Sequence, residues 1–327
     1  MEIPTVLKEN PNILCIDASN MLHRFFHGMP VMTSRTAGVE THAITAWINF
    51  LVSFQQRMGF LPPSTLPIVF FDRTRDLIAE GIAKPVMVDP EAPEGAESQP
   101  VALLDYKGQR KAPPESLVFQ LELAEQITKL MGICYSLQEG HEADTLLGSV
   151  VLSHARHHQS IGTPSNCFVL SMDKDMLQLV NDSGFNRVEC IHPQNGGLFK
   201  RMTPTEVKTK MGVEPKYIAD LLAMMGDTCD NIPGIPGVGA KTAIKLIETY
   251  DGLDGIVANL SQISGKLGEK LREHAPYIPA LRQLVTFKEY PVHIRTPQQK
   301  SESLRSLLEH MDMWKTLHKL NLVPKAP

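Results

Sequence analysis

Asn12-Ile-Leu-Cys-Ile-Asp17 is a short apolar run that ends on a carboxylate. Such a run suits a strand buried on both faces, the kind found in parallel sheets. Pro67-Ile-Val-Phe-Phe-Asp72 repeats the device. Cys167-Phe-Val-Leu-Ser171 leads directly into Met172-Asp-Lys-Asp175, and Ile133-Cys-Tyr-Ser-Leu137 precedes Gly140-His-Glu-Ala-Asp144. Arg187-Val-Glu-Cys-Ile191 is a further strand candidate. Between these runs, Thr41 to Met58 and Glu115 to Met131 carry apolar residues at helical spacing. Strands alternating with helices predict a parallel α/β sheet, which binds its ligands at the C-terminal strand edge. Taken singly, Asp17 or Asp72 is ordinarily a helix cap, and Glu142 and Asp144 are ordinarily dipole partners of a helix start. Acids at equivalent ends of several strands converge on a site.

Working outward, Leu222-Ala-Met-Met-Gly-Asp-Thr-Cys-Asp-Asn-Ile-Pro-Gly-Ile-Pro-Gly-Val-Gly-Ala-Lys-Thr-Ala243 carries two further acids, Asp227 and Asp230. Their spacing predicts two carboxylates on one side of a helical turn. The following Gly234-Ile-Pro-Gly-Val-Gly239 is too rich in Gly and Pro for helix or strand. A fresh helix from Ala240 to Thr249 then presents N–H groups that attract anions, with Lys241 and Thr242 in its first turn. A nucleotide P-loop would need glycines where Ile235 and Ala240 stand, so that reading fails. The plain alternative is a helix corner with solvated acids.

Arg73 to Leu104 is irregular, and its centre from Pro85 to Pro100 is rich in Pro and acid, as in a mobile loop. Tyr106-Lys-Gly-Gln-Arg-Lys111 follows, with cations that can meet adjacent phosphates and a ring that can stack on a base. By itself it also fits a solvated helix start. A basic segment, Lys200-Arg-Met-Thr-Pro-Thr-Glu-Val-Lys-Thr-Lys210, leads to a mainly helical second half. That half ends on an apolar stripe of Leu304, Leu307, Leu308, Met311, Trp314 and Leu317. Two domains are expected, at 1–200 (with an arch or insert at about 73–115) and 201–327. His154, His157 and His158 have metal-compatible spacing, but they sit at the polar end of a helix with no partner acids nearby, so a metal site is not expected there.

With 327 residues and 43% hydrophobic content, the chain can build two cores. No apolar run approaches the roughly 20 residues of a membrane span, and the first residues lack a signal-peptide layout. Five separated cysteines read as buried thiols of a reducing compartment, so a cytoplasmic location is expected. The net charge of −4 does not exclude nucleic acid, because many acids can belong to one metal site. Asp17, Asp72, Glu142, Asp144, Asp173, Asp175, Asp227 and Asp230 make up that set. Packed without neutralisation they would repel, and oxygen-only ligands favour Mg²⁺ or Mn²⁺. Two such ions suit phosphodiester hydrolysis.

On these blocks the chain resembles the 5′-nuclease superfamily: the 5′→3′ exonuclease domain of bacterial DNA polymerase I, phage 5′-exonucleases and flap endonucleases. The likeness runs from about Ile13 to Asn259. It implies a PIN-like catalytic domain with a helical arch and a helix–three-turn–helix domain that grips duplex DNA, often with K⁺. By resemblance, Asp17, Asp72, Glu142, Asp144 and Asp173 would serve a first metal ion, and Asp175, Asp227 and Asp230 a second. Lys107 and Arg110 would hold the scissile phosphate from the arch, Tyr106 would stack on a terminal base, and Arg24 would contact phosphate. Gly234, Gly237, Val238, Gly239, Lys241 and Thr242 would form the DNA grip.

The chain departs from the bacterial and phage pattern Glu-Ala-Asp-Asp at Thr145, as eukaryotic and archaeal flap endonucleases also do, and its acidic insert at 86–100 is unusual. No polymerase segment follows, so a free-standing, monomeric nuclease of a bacterial or phage-infected cell is expected, as in phages and some bacterial paralogues. It would cut DNA near a 5′ end, flap or junction in replication or repair. Two alternatives stay open: a junction-binding protein that lost cleavage through Thr145, and RNase H-like removal of RNA primers from DNA. A PIN-type ribonuclease fits less well, because simple PIN domains lack the Gly-Ile-Pro-Gly-Val-Gly hairpin.

Overall fold

A computed structural model describes residues 3–72 and 112–322. The acidic stretch 86–100 and the segment 106–111 lie outside them. Seven strands form one sheet in the order β3-β2-β1-β4-β6-β5, with β7 also paired to β6. These are β1 (Asn12–Asp17), β2 (Leu66–Phe70), β3 (Cys134–Ser136), β4 (Ser165–Leu170), β5 (Asn181–Asp182), β6 (Asn186–Pro193) and β7 (Phe199–Met202). β3, β2, β1, β4 and β6 are parallel, while β5 and β7 run antiparallel to β6. The predicted parallel α/β sheet is therefore present, and every predicted strand lies in it.

Period-two alternation divides the core. Ile13 and Cys15 face one side with Ile68, Phe70, Cys167, Val169 and Cys190. Leu14 and Ile16 face the other with Val69, Phe168, Leu170 and Ile191. Each face is then covered by helix. α2 (Ala18–Gly28), α3 (His42–Arg57) and α4 (Glu115–Leu130) cover the second face. α5 (Ala143–Ser160) covers the first, together with α6 (Pro204–Met211), α7 (Ile218–Met225), α8 (Ala240–Tyr250) and later helices. Trp47, wholly buried on α3, donates its indole N–H to Thr128 Oγ1 at 3.1 Å, so this large ring leaves no unpaired donor.

α1 (Thr5–Glu9) is tied to α5 by two buried histidines. His154 Nε2 lies 2.9 Å from the Asn10 carbonyl, and His158 Nε2 lies 3.0 Å from the Leu7 carbonyl. Both rings are buried, although the sequence puts them at the polar end of a helix, because α1 packs over that end of α5. Four of the five free cysteines are buried, but Cys229 is exposed, contrary to the sequence reading, because it lies on a surface turn.

The C-terminal residues return to the sheet. Arg295 exchanges backbone hydrogen bonds with Tyr135 of β3 at 2.8 and 3.1 Å, which covers the sheet's open edge. In and around α9 (Ser301–His310) and α10 (Trp314–Lys319), Leu304, Leu308, Met311 and Leu317 are buried in the second-face core. Trp314 departs from the expected stripe and is 53% exposed. Asp312 takes a positive φ of 56° between the two helices, which breaks the helical phase so that Met313 is buried instead. The Asp312 carboxylate accepts bonds from the Ser34 hydroxyl at 2.9 Å and from the Thr36 N–H and hydroxyl at 2.8 Å. It latches the loop that follows α2.

Burial lowers the His154 pKa from 6.5 to about 4, with the neighbouring histidines adding to the effect. Between those values the unfolded chain binds a proton that the folded chain refuses. The stability contributed by neutral His154 is therefore full above pH 6.5 and lost as pH falls toward 4, by about 3 kcal/mol. Urea unfolding at pH 7 and pH 4.5 should show a smaller pH dependence in His154→Gln than in the wild type. An identical dependence would remove His154 as its source.

Candidate metal centre

The C-terminal edge of the parallel strands collects the acids. Asp17 ends β1 and caps α2: its Oδ1 accepts from the Asn20 N–H at 2.9 Å. Its Oδ2 accepts from the Ser171 hydroxyl at 3.0 Å, which ties β1 to the residue just past β4. Asn20 Oδ1 accepts in turn from the Met172 N–H at 3.0 Å. Asp72, two residues beyond β2, accepts from the Ala143 N–H at 2.7 Å and so caps α5. Glu142 stands at the N-cap position of α5, and Asp144 lies in its first turn. Ser171 Oγ accepts from the Asp173 N–H at 3.2 Å, and Asp173 Oδ1 accepts from the Asp175 N–H at 3.0 Å. Ser171 and Asn20 are positioning groups that no sequence motif singles out.

Asp227 and Asp230 reach the same edge by a different route from the helical turn expected. α7 stops at Met225 because Gly226 takes a φ of 76°. Asp227 and Ile232 then pair as an antiparallel bridge around a turn. Asp227 Oδ1 accepts from the Cys229 N–H at 2.9 Å, which holds the turn tight. The three-residue spacing still presents both carboxylates together, but from a loop.

Ligand oxygens of Asp175, Asp227 and Asp230 all lie within 4.8 Å of one another. Among the described residues no second group of three acids meets that limit. The remaining acids nevertheless sense one another. The Asp17 pKa is raised to about 7, first by burial and then by the charges of Asp72 and Asp144. The Asp175 pKa is raised to about 8, first by burial and then by Asp173, Asp230 and Asp227. Two electrostatic groups result, one around Asp17 and one around Asp175. Asp173, expected with the first set, acts on Asp175 of the second.

Do these residues fit a divalent ion? The donors are carboxylate oxygens, the set preferred by hard divalent cations. Asp175 Oδ1 is buried and has no hydrogen-bond partner, an arrangement a cation would relieve. Lys174 Nζ lies 2.9 Å from Asp227 Oδ1 and brings the one ammonium group paired with this cluster among the described residues. The site fits a divalent metal. Thr145, which stands in the place of a further acid, donates its hydroxyl to Asp144 Oδ1 at 3.2 Å and so holds a ligand candidate instead of adding one.

The other expected residues are distributed as follows. Arg24 is half-buried on α2, with its guanidinium 3.3 Å from the Met172 sulfur, beside the acid edge. Tyr106, Lys107 and Arg110 lie outside the described residues. In the hairpin, Gly237, Gly239 and Lys241 are exposed, and Thr242 is half-buried. Gly234 and Val238 are buried. Gly234, at φ 63°, packs on Gly226 so closely that a Cβ there would lie 2.3 Å from the Gly226 nitrogen. These two glycines weld the acid turn to the hairpin.

Two family models cover most of the chain. One, described as "5'-3' exonuclease, N-terminal resolvase-like domain", matches residues 12–212. The other, "5'-3' exonuclease, C-terminal SAM fold", matches residues 213–306. The 5'-3' exonuclease of Aquifex aeolicus is 29% identical over 309 residues, covering 91% of this chain and 94% of that protein. The DNA polymerase I of Rhizobium leguminosarum is 30% identical over 263 residues, covering 79% of this chain. The chain spans 22% of the length of that polymerase and 34% of that of Thermus aquaticus. Among solved structures, the T5 5'-exonuclease with bound zinc aligns with a TM-score of 0.58 at 17% identity, over 95% of this chain and 99% of that one. Flap endonuclease-1 from Methanococcus jannaschii aligns with a TM-score of 0.57 at 17% identity, over 98% and 95%. Both likenesses concern the fold.

Because the folded-state pKa values of Asp17 and Asp175 lie above 3.8, the folded chain keeps protons that the unfolded chain releases. Their contribution to stability therefore falls as pH rises from about 4 to about 8. A divalent ion must displace those protons, so its apparent affinity should rise by up to about tenfold per pH unit for each proton released. The gain in Tm on adding Mg²⁺ should be larger at pH 8.5 than at pH 6, and Asp175→Asn should flatten the difference. Equal gains at both pH values would exclude this linkage. Separately, Gly234→Ala should lower stability by at least about 1–2 kcal/mol through its positive φ alone, measured by urea unfolding; an unchanged midpoint would refute the welded contact.

Proposed function

Since the chain belongs to the 5'-3' exonuclease family, we propose that it is a structure-specific 5′→3′ exonuclease and flap endonuclease acting on DNA. The observation that carries this reading is the convergence of Asp175, Asp227 and Asp230 at the sheet edge, joined through Gly226 and Gly234 to an exposed hairpin. Asp17, Asp72, Glu142, Asp144 and Asp173 are proposed to hold one divalent ion, and Asp175, Asp227 and Asp230 a second. Mg²⁺ is the proposed ion, with Mn²⁺ as a substitute. When bound, such a pair supplies a water of lowered pKa and stabilises the leaving 3′-oxygen.

The chain's own residues do the positioning. Asp17 and Asp72 cap α2 and α5, so the acids they carry are fixed to rigid elements. Gly237, Gly239 and Lys241 at the start of α8 offer N–H groups and a cation to a duplex phosphate. K⁺ at that loop is part of the proposal, as are Arg24, Lys107 and Arg110 as phosphate contacts and Tyr106 as a stacking face. A catalytic unit at 1–200 and a DNA-gripping unit at 201–327 would divide this labour. We further propose that the protein acts as a cytoplasmic monomer in replication or repair, with RNA–DNA primers as a second substrate class. Among the described residues no helix is long and apolar enough to cross a membrane.

A labelled 5′-flap duplex should be cut near the flap base in Mg²⁺, and Asp173→Ala should lower the rate by at least about a hundredfold, as loss of a major charge-stabilising group does. Tight flap binding without cleavage in Mg²⁺ or Mn²⁺ would replace this reading with a junction-binding role.

A further inference from the structure

The basic segment that runs from Lys200 in β7 to Lys210 in α6 carries charges that the acid site and the hairpin do not absorb. We infer that Lys200 and Lys210, set around His192, form a separate phosphate-binding site that takes a phosphodiester of the nucleic-acid strand beside the acid cluster. The inference deepens the nuclease reading and rests on it.

Charge pairing within the segment separates these two lysines from their neighbours. Arg201 is neutralised by Glu189 through two bonds of 2.6 Å. Lys208 is paired with Glu214 at 2.8 Å. Lys200 and Lys210 have no carboxylate partner among the described residues. Instead they converge on one another. Lys200 pairs directly with His192 across the β6–β7 ladder, so the two side chains share a face. Lys210, in the last turn of α6, lies with its Nζ 3.4 Å from His192 Nδ1. That contact makes Nδ1 the acceptor and leaves two of the lysine's N–H bonds for another group. His192 is 4% exposed, and its Nε2 is buried without a partner.

The electrostatics agree. Burial and the Lys200 charge lower the Lys210 pKa. Burial and then both lysines push His192 down to about 4. Cations that press one another's pKa values downward form a patch lacking its counter-charge, and an anion would relieve all of them at once.

The place is as telling as the charge. Ile191 of β6 is in register with Leu170 of β4, so His192 stands at the same sheet edge from which β4 leads into Asp173. Cys190 lies within electrostatic reach of both Lys210 and Asp173. On its other side the patch borders the hairpin unit: a Cβ on Gly212, which ends α6, would lie 2.6 Å from Ile244 of α8. A strand running between the acids and the hairpin would pass this patch. The ligand is a phosphodiester, because ammonium groups act as point charges on phosphate and read no base.

The test is fluorescence anisotropy over a range of salt concentrations, in Ca²⁺, with a 5′-flap duplex, a blunt duplex and a single strand as probes. Lys200→Gln and Lys210→Gln should each weaken binding several-fold and lower the slope of log affinity against log salt by about 1. Together they should lower it by about 2, and Lys→Arg should restore it. The probe that loses affinity identifies whether the phosphate belongs to the flap or to the duplex. Should Lys210→Gln lower Tm, the exposed Lys200→Gln carries the test. Unchanged affinity and slope in variants of a wild type that does bind the flap would overturn the site alone. A wild type that binds none of the probes would overturn the nuclease reading and the site with it.

Discussion

The fold is arranged around a repulsion. Acids from three strand ends, the start of α5 and one distant turn are held at a single edge of a parallel sheet, where burial and neighbouring charge drive Asp17 and Asp175 far above their ordinary pKa values. Burial and repulsion at Asp17 and Asp175 disfavour the folded chain at neutral pH. The rest of the molecule supplies the stabilisation that tolerates it: a sheet buried on both faces, helices capped by the acids themselves, and a hydroxyl from Ser171 shared between strands. Strained charge of this kind is commonly kept where a ligand relieves it.

Much of this was legible in the sequence because it is written locally. An apolar run ending on an acid sets both a strand and the position of its carboxylate, so Asp17 and Asp72 could be placed before any tertiary contact was known. Two local inferences failed where one backbone torsion decided the matter. Asp227 and Asp230 have helical spacing, yet Gly226 at positive φ ends the helix before them. Trp314 fits the stripe begun by Leu304, yet Asp312 resets the phase. Ser171, Asn20 and Lys174 act through partners remote in the chain, and no spacing rule reaches them. The same is true of Lys200 and Lys210. A basic run is visible in sequence, but which of its charges are neutralised depends on Glu189 and Glu214.

The hairpin glycines show how two functions come to share one rigid piece. Gly226 and Gly234 meet at distances that leave no room for a side chain, so the acid turn and the exposed Gly237–Gly239 loop move as one body. On the proposed reading, a displacement of a duplex held at the hairpin would be transmitted to Asp227 and Asp230 without any flexible joint between them. Gly237 and Gly239 serve instead by exposure, and the single label of glycine-rich loop covers two different physical demands.

The Asp312 latch spans 278 residues to Ser34. Leu304, Leu308 and Leu317 complete the same core face that Leu14 and Ile16 begin. During synthesis, the second face of the sheet stays unfinished until residues 304–317 have left the ribosome. Long-range closure of this kind is slow and leaves apolar surface open in the interval. The acids, Asp230 the last of them, are thus made before the helices that finish this face.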